Sequence, residues 1–257
     1  MDRRNSPVTI CVSSGKGGVG KTSFTVNMAL ALARKQQRVL VIDADLGLAN
    51  VDVLFGLHVE RTIRDLLEDG SDPMESVLYL EPNLGVLPAS SGVPEMVNLD
   101  PDDQLRMEGI LQDISRHFDY VFLDTAAGIG PSVLWFNHFA DHNFIVLSPD
   151  PTSITDAYAL IKVLSRDYQR EDFFLILNLV TNEGEGRRTY DNVARVVKQF
   201  LKLSPQYFGA IPVDEAVVKA NRERIPFLKL SPQSKAAQAI VRMADQVLKL
   251  QKACSPT

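Results

Sequence analysis

The segment Ser13-Ser14-Gly15-Lys16-Gly17-Gly18-Val19-Gly20-Lys21-Thr22-Ser23 decides how this chain is read. It follows a β-branched, apolar run at 8–12 and precedes an amphipathic run at 24–33. The pattern Gly15-x4-Gly20-Lys21-Thr22 therefore sits between a strand and a helix, the context that makes it a phosphate-binding P-loop. Gly15, Gly17, Gly18 and Gly20 let consecutive backbone N–H groups converge on phosphate oxygens, and the whole turn from Gly15 through Val19 to Ser23 is expected to cradle them. A helix starting near Lys21 adds its positive dipole end to the same spot. Lys21 is expected to reach the β and γ phosphates, and the Thr22 hydroxyl to help hold Mg²⁺. Lys16 is more charge than one nucleotide needs. By residue type alone it is either a solvated loop lysine or a cation that reaches a phosphate across a dimer interface.

Two further elements strengthen the reading. Asp43 and Asp45 stand two apart at the carboxyl end of the second apolar run, where open α/β sheets bind ligands. Asp43 is expected to face the Mg²⁺ shell and Asp45 to orient an attacking water. The run 119–128, DYVFLDTAAG, is an apolar strand ending in Asp124 and then a glycine. Asp124 is expected to bind Mg²⁺ through water, and the Gly128 amide to sense the γ phosphate.

Around these elements strand-like and helix-like runs alternate, the mark of a mostly parallel sheet with helices on both faces. Strands are expected at 8–12, 38–42, 84–87, 120–123, 143–147, 173–178 and 207–211. Most are continuous apolar runs, as suits strands buried on both sides. Helices are expected at 25–35, 101–117, 154–168 and 190–201. At 257 residues and 45% apolar content the chain can bury one substantial core, so a single α/β domain over 1–257 is expected. A net charge of −5 argues against a surface that coats nucleic acid. Two cysteines, Cys11 and Cys254, suggest neither a disulfide scaffold nor a metal site. They fit a reduced, cytoplasmic protein. The lone Trp135 beside Phe136 and Phe139 reads as packing, and the histidines lack metal-ligand spacing.

Together GKGGVGKT, DADLGLANVDVLFGL, DTAAGIG and the 149–162 run PDPTSITDAYALIK resemble the MinD/ParA class of deviant Walker A ATPases, over about residues 8–250. Within it they are most similar to the flagellar-number regulators of the FlhG group. The resemblance implies an ATP/ADP and Mg²⁺ site and a slow, partner-stimulated ATPase that forms a homodimer when ATP-bound. It implies Lys16 acting across the dimer, Lys21 and Thr22 on phosphate and Mg²⁺, Asp45 positioning water and Asp124 as the Walker B acid. It also implies Asp150 near the partner's nucleotide, Asp156 close to the dimer contact, and Asn178 with Pro212, Val213 and Asp214 at adenine. The flagellar GTPase FlhF and basal-body or regulatory proteins follow as partners by the same resemblance. The chain begins shortly before its first strand, so an activator helix of the kind some relatives use to contact FlhF is expected to be missing or much shortened.

The stretch 234–252 reads as an amphipathic helix, with Ala236, Ile240, Met243, Ala244, Val247 and Leu248 near one face. Either this face packs on the domain or it makes a weak contact with the inner surface of the cell membrane. A division-site regulator of the MinD type and a DNA-partition ATPase of the ParA type are the competing readings. The latter would use Lys219, Arg222, Arg224 and Lys229 as a basic patch.

Overall fold

A computed structural model describes residues 7–45, 72–88 and 101–250. The 46–57 part of the DADLGLANVDVLFGL run, the last residues of the 234–252 stretch and Cys254 lie outside them. The elements run β1 (Val8–Ser14), α1 (Lys21–Arg34), β2 (Val39–Ala44), a 3₁₀ turn (Pro73–Ser76), β3 (Leu78–Glu81) and β4 (Leu84–Leu87). They continue with α2 (Pro101–Ser115), β5 (Tyr120–Ala127), α3 (Pro131–Phe139), β6 (His142–Leu147), α4 (Pro151–Asp167) and β7 (Phe173–Val180). The chain closes with α5 (Glu183–Leu201), β8 (Gln206–Pro212), α6 (Glu215–Glu223), α7 (Phe227–Leu230) and α8 (Lys235–Val247).

All seven expected strands are present and form one sheet in the order β3-β4-β2-β5-β1-β6-β7-β8. Every pairing is parallel except β3 with β4. From β1 the chain first builds one half of the sheet, then crosses from β5 over β1 to β6 and builds the other. The direction of winding therefore reverses at β1, and the crevice at the carboxyl ends of the strands opens there.

Because successive strand residues face opposite sides, each buried strand supplies two cores. Ile10, Val12, Val41, Phe122, Phe144 and Ile176 meet α1, α7 and α8 on one face. On the other face Leu40, Ile42 and Leu123 meet α2 and α3, while Ile145, Leu147 and Leu175 meet α4 and α5.

Among the described residues, one strand and three α-helices were not anticipated. The edge strand β3 is only four residues long, and α3 (PSVLWFNHF) is too uniformly apolar to show a helical period. The short α6 and α7 follow a turn in which Asp214 caps α6 through the Ala216 N–H. In addition, α5 begins at Glu183 rather than 190, because Asn182 caps it and Gly186 packs against Ala210.

Of the two alternatives left open for helix α8, its apolar face takes the packed one. Ala236, Ile240, Met243, Ala244 and Val247 are buried against α1 and β8, with the Met243 sulfur filling the space above Gly209. Lys35 pairs with Asp245 at 2.7 Å across the same contact. The apolar face is thus occupied by the domain itself; the exposed hydrophobics here are Val241 on the helix and Leu248 at its C-cap. Among the described residues no helix is long and apolar enough to cross a membrane. Of the four cations suggested as a basic patch, Lys219 pairs with Glu223 at 3.8 Å and Lys229 with Glu81 at 2.8 Å, as in a solvated edge.

Cys11 is fully buried in β1, and burial pushes its thiol up to about 12. A thiol held protonated is a poor nucleophile. In a Cys254→Ser protein, a disulfide-exchange reagent at pH 8 is expected to find no reactive thiol until denaturant is added.

Candidate nucleotide-binding site

The turn between β1 and α1 has the shape that its glycines predict. Gly18 (φ 76°) and Gly20 (φ 91°) lie in the left-handed region, and Gly20 is the N-cap of α1. At Gly15 the constraint is contact. A Cβ there would lie 2.1 Å from the Asp156 carbonyl carbon, so the loop rests directly on the backbone of α4. Side chains added at Gly17 or Gly18 would meet nothing within 4 Å, which marks the open side of the loop. The Ser14 hydroxyl ties the loop back by donating to the Lys16 carbonyl at 2.7 Å.

Asp124 is the acidic focus. It is buried at the carboxyl end of β5, level with Val12 of β1 and Asp43 of β2 in the strand register. Thr25 of α1 donates to Asp124 Oδ1 at 3.0 Å, and Thr22 donates to the same carboxylate. Desolvation raises the Asp124 pKa to about 6, against the opposing pull of Thr22, Lys21 and Thr25. Lys21 is buried beside it, and burial lowers its pKa while Asp124 and Asp45 raise it. Asp43 is fully buried and accepts the Asp45 N–H at 3.1 Å. Asp45 is half-buried at the strand end, close enough to act on both Lys21 and Asp124.

These groups fit a nucleotide phosphate with Mg²⁺. The buried, raised carboxylate and the buried lysine are each destabilised alone, and a divalent cation and a polyanion would relieve them in turn. Thr22 and Asp124, with Asp43 behind them, are the residues that would hold the metal. Among the described residues no group of three His, Cys, Asp or Glu side chains could cage an ion.

The expected adenine residues also come together. Asn178, at the end of β7, donates to the Val19 carbonyl at 2.7 Å and so links the far strand to the loop. Its neighbour Leu179 takes φ 60°, rare for a non-glycine residue, at a break in the β7–β8 register. A cavity of about 150 Å³ opens here between Gly20, Asn178, Pro212, Val213 and Phe227. Val213 stands at its rim, 61% exposed. Asp214 also lines this cavity, and its two oxygens accept the Ala216 and Ala236 N–H groups and hold the cavity wall together. A larger open cavity, about 530 Å³, lies at the opposite ends of the strands by Thr9, Trp135 and Asp141 and includes none of the phosphate-binding elements.

Lys16 leans on its own chain. Its Nζ donates to Thr152 Oγ1 at 2.6 Å and lies 3.5 Å from Asp150. Asp150 caps α4 by accepting from the Thr152 and Ser153 N–H groups, and its bonds to Thr152 and Ser153 hold its pKa down at about 2. Residue reading missed Thr25, which clamps Asp124 from the second turn of α1; its one-turn spacing from Lys21 carried that signal.

A model of the CobQ/CobB/MinD/ParA nucleotide-binding domain matches residues 10–227. The antiactivator FleN of Pseudomonas aeruginosa is 44% identical over 93% of this chain and 85% of its own length. The chain belongs to the MinD/ParA nucleotide-binding family, in its FlhG branch. The flagellum site-determining protein YlxH of Helicobacter pylori is 36% identical over 95% of this chain and 83% of its own length. The MinD/ParA fold is matched at TM-score 0.80 by the cell division ATPase MinD of Pyrococcus furiosus, at 24% identity over 96% of this chain and all of that one.

Two predictions follow from packing and charge in this MinD/ParA site. Gly15→Ala should destabilise the protein by about 1–3 kcal/mol through its clash with Asp156, read as a fall in Tm of about 2–10 °C, whereas Gly17→Ala should leave Tm unchanged. For Asp124, a folded pKa above the ordinary 3.8 favours the folded state at low pH, and that advantage is lost as pH rises from about 4 through about 6. Asp124→Asn should therefore be more stable than the parent without nucleotide at pH 7.5, by up to about 3 kcal/mol, with the gap roughly halved at pH 5. Thermal melts at the two pH values check this.

Proposed function

We propose that this chain is an ATP-hydrolysing switch whose dimer state controls the number or placement of flagella. The observation that carries the reading is the buried Asp124, held by Thr22 and Thr25 beside Lys21 at the foot of a glycine loop open on one side. Kinship with FleN and YlxH supports the flagellar role. Bound Mg²⁺ would neutralise charge developing on the phosphates.

This chain's own residues would do the rest. The loop amides and Lys21 bind and orient the phosphates, and Thr22 and Asp124 fix the metal side. Asp45, at the mouth of the crevice, orients the attacking water. Asn178 and the wall formed by Pro212 and Val213 receive adenine. Lys16 lies near enough to the surface to exchange its contact with Asp150 and Thr152 for a phosphate of a second copy, with side chains 42% and 47% exposed for Lys16 and Asp150. ATP would thereby select the dimer, and hydrolysis would release it. A protein named as an antiactivator acts on an activator, so a flagellar transcription factor, FlhF and basal-body proteins are the partners to try first.

The test is the solution mass of the Asp45→Ala protein by light scattering behind a sizing column, with no nucleotide, with ADP, and with ATP and Mg²⁺. Doubling with ATP alone is expected, with no doubling when Lys21→Ala is added. A mass that never changes would leave a monomeric P-loop protein and remove Lys16 from its proposed role.

A further inference from the structure

Beneath α3, on the face of the sheet away from α1, a line of polar side chains crosses an otherwise apolar core. Ser13, Asn137 and Asn143 are fully buried and Thr125 is 2% exposed. Asn137 Nδ2 donates to Ser13 Oγ and to the Val133 carbonyl, both at 2.7 Å. Ser13 Oγ lies 3.0 Å from Thr125 Oγ1, which is also 3.1 Å from the Val12 carbonyl. On the other side the Asn143 amide, turned so that its oxygen faces Arg170, donates to Asn137 Oδ1 at 2.9 Å. It accepts from Arg170 Nε at 2.8 Å. Arg170 also donates to the Asp141 carbonyl at 3.0 Å. The line thus joins the loop after α4, β6, α3, β1 and β5.

Apolar residues of similar size would fill this space without any need for partners. A buried polar network whose members satisfy one another instead fixes one arrangement, since removing a member strands its neighbours. What it fixes is set by the alternation of the strand. Asp124 faces α1 and accepts from Thr25, while the next residue, Thr125, faces α3 and the network. Three residues further, Gly128 turns with φ 96° and donates its N–H to the Ser14 carbonyl at 2.9 Å. The strand end that presents the acid at its front is therefore bolted from behind, one residue away.

We propose that Asn137 is a positioning residue for hydrolysis: through Ser13 and Thr125 it sets the strand end on which Asp124 and the Gly128 turn stand. The inference rests on the ATPase reading above. It concerns turnover more than nucleotide retention, because Lys21 and the loop amides take no part in the network.

Asn137→Leu replaces the amide by two methyls on the same branched heavy-atom skeleton, and Thr125→Val removes the hydroxyl while keeping the branched shape. For each variant and for the double variant, kcat and KM for ATP with Mg²⁺ are measured by phosphate release, and Kd for ADP by titration. Each single change is expected to lower kcat about tenfold, with KM and Kd moving less than about twofold. The double variant should lose little more than either single one, since both cut the same link at Ser13. An unchanged kcat, a KM that rises in step with the loss, or an additive loss of about a hundredfold overturns the proposal. Should Asn137→Leu fail to fold, Thr125→Val decides alone by the same split between kcat and KM. A parent protein with no phosphate release at all overturns the ATPase reading and this proposal together. Phosphate release by the parent with an unaltered Thr125→Val variant overturns this proposal only.

Discussion

A carboxylate taken out of water must be compensated or neutralised, and the architecture of this protein turns on how Asp124 meets that demand. The parallel strands place it deep, at the register level of Asp43 and Val12. The first turns of α1 then bring Thr22, Thr25 and Lys21 to the same point. Compensation is incomplete, as the raised pKa of the acid and the lowered pKa of the lysine both show. A site left partly uncompensated by protein alone is one that gains most from a ligand carrying both signs of charge.

The surroundings serve that focus from three directions. Helix α4 supports the loop through the close approach at Gly15 and holds Lys16 at its capped end. Strand β7 reaches it through Asn178 and the Val19 carbonyl. On the far side Asn27 of α1 accepts the Leu228 N–H at 2.8 Å and Arg34 donates to the Leu228 carbonyl, which pins α7 to the helix that bears the phosphate end, while Lys35 beside that helix pairs with Asp245 of α8. The C-terminal helix is in this sense part of the site's foundation.

Much of this was legible in the sequence because the constraints are local. Gly15, Gly18 and Gly20 sit where backbone geometry or contact demands them, and the continuous apolar runs could only be strands covered on both faces. Less local features were hidden. Helix α3 shows no periodicity because its sequence is apolar nearly all round, and its one informative residue, Asn137, signals only when Ser13 and Asn143 are known to lie beside it. Asp214 reads as a site residue by position, and its further part, accepting the Ala216 and Ala236 amides across the cavity wall, depends on Ala236 well along the chain. The face of α8 has the same pattern whether a membrane or a sheet covers it. Only the packing against β8 and α1 distinguishes them.

The central place of β1 has a consequence for biosynthesis. Both of its neighbours come late in the chain: Thr125 of β5 lies 112 residues after Ser13, and β6 later still. At ribosomal rates of about 5–20 residues per second, the strand that bears the phosphate loop waits roughly 6–22 s for its first hydrogen-bonding partner. During that interval an apolar, β-branched segment has only α1 to cover one of its faces. The nucleotide site is therefore among the first sequences made and among the last structures completed, and nascent chains halted before β5 would expose it to chaperones as an unpaired strand.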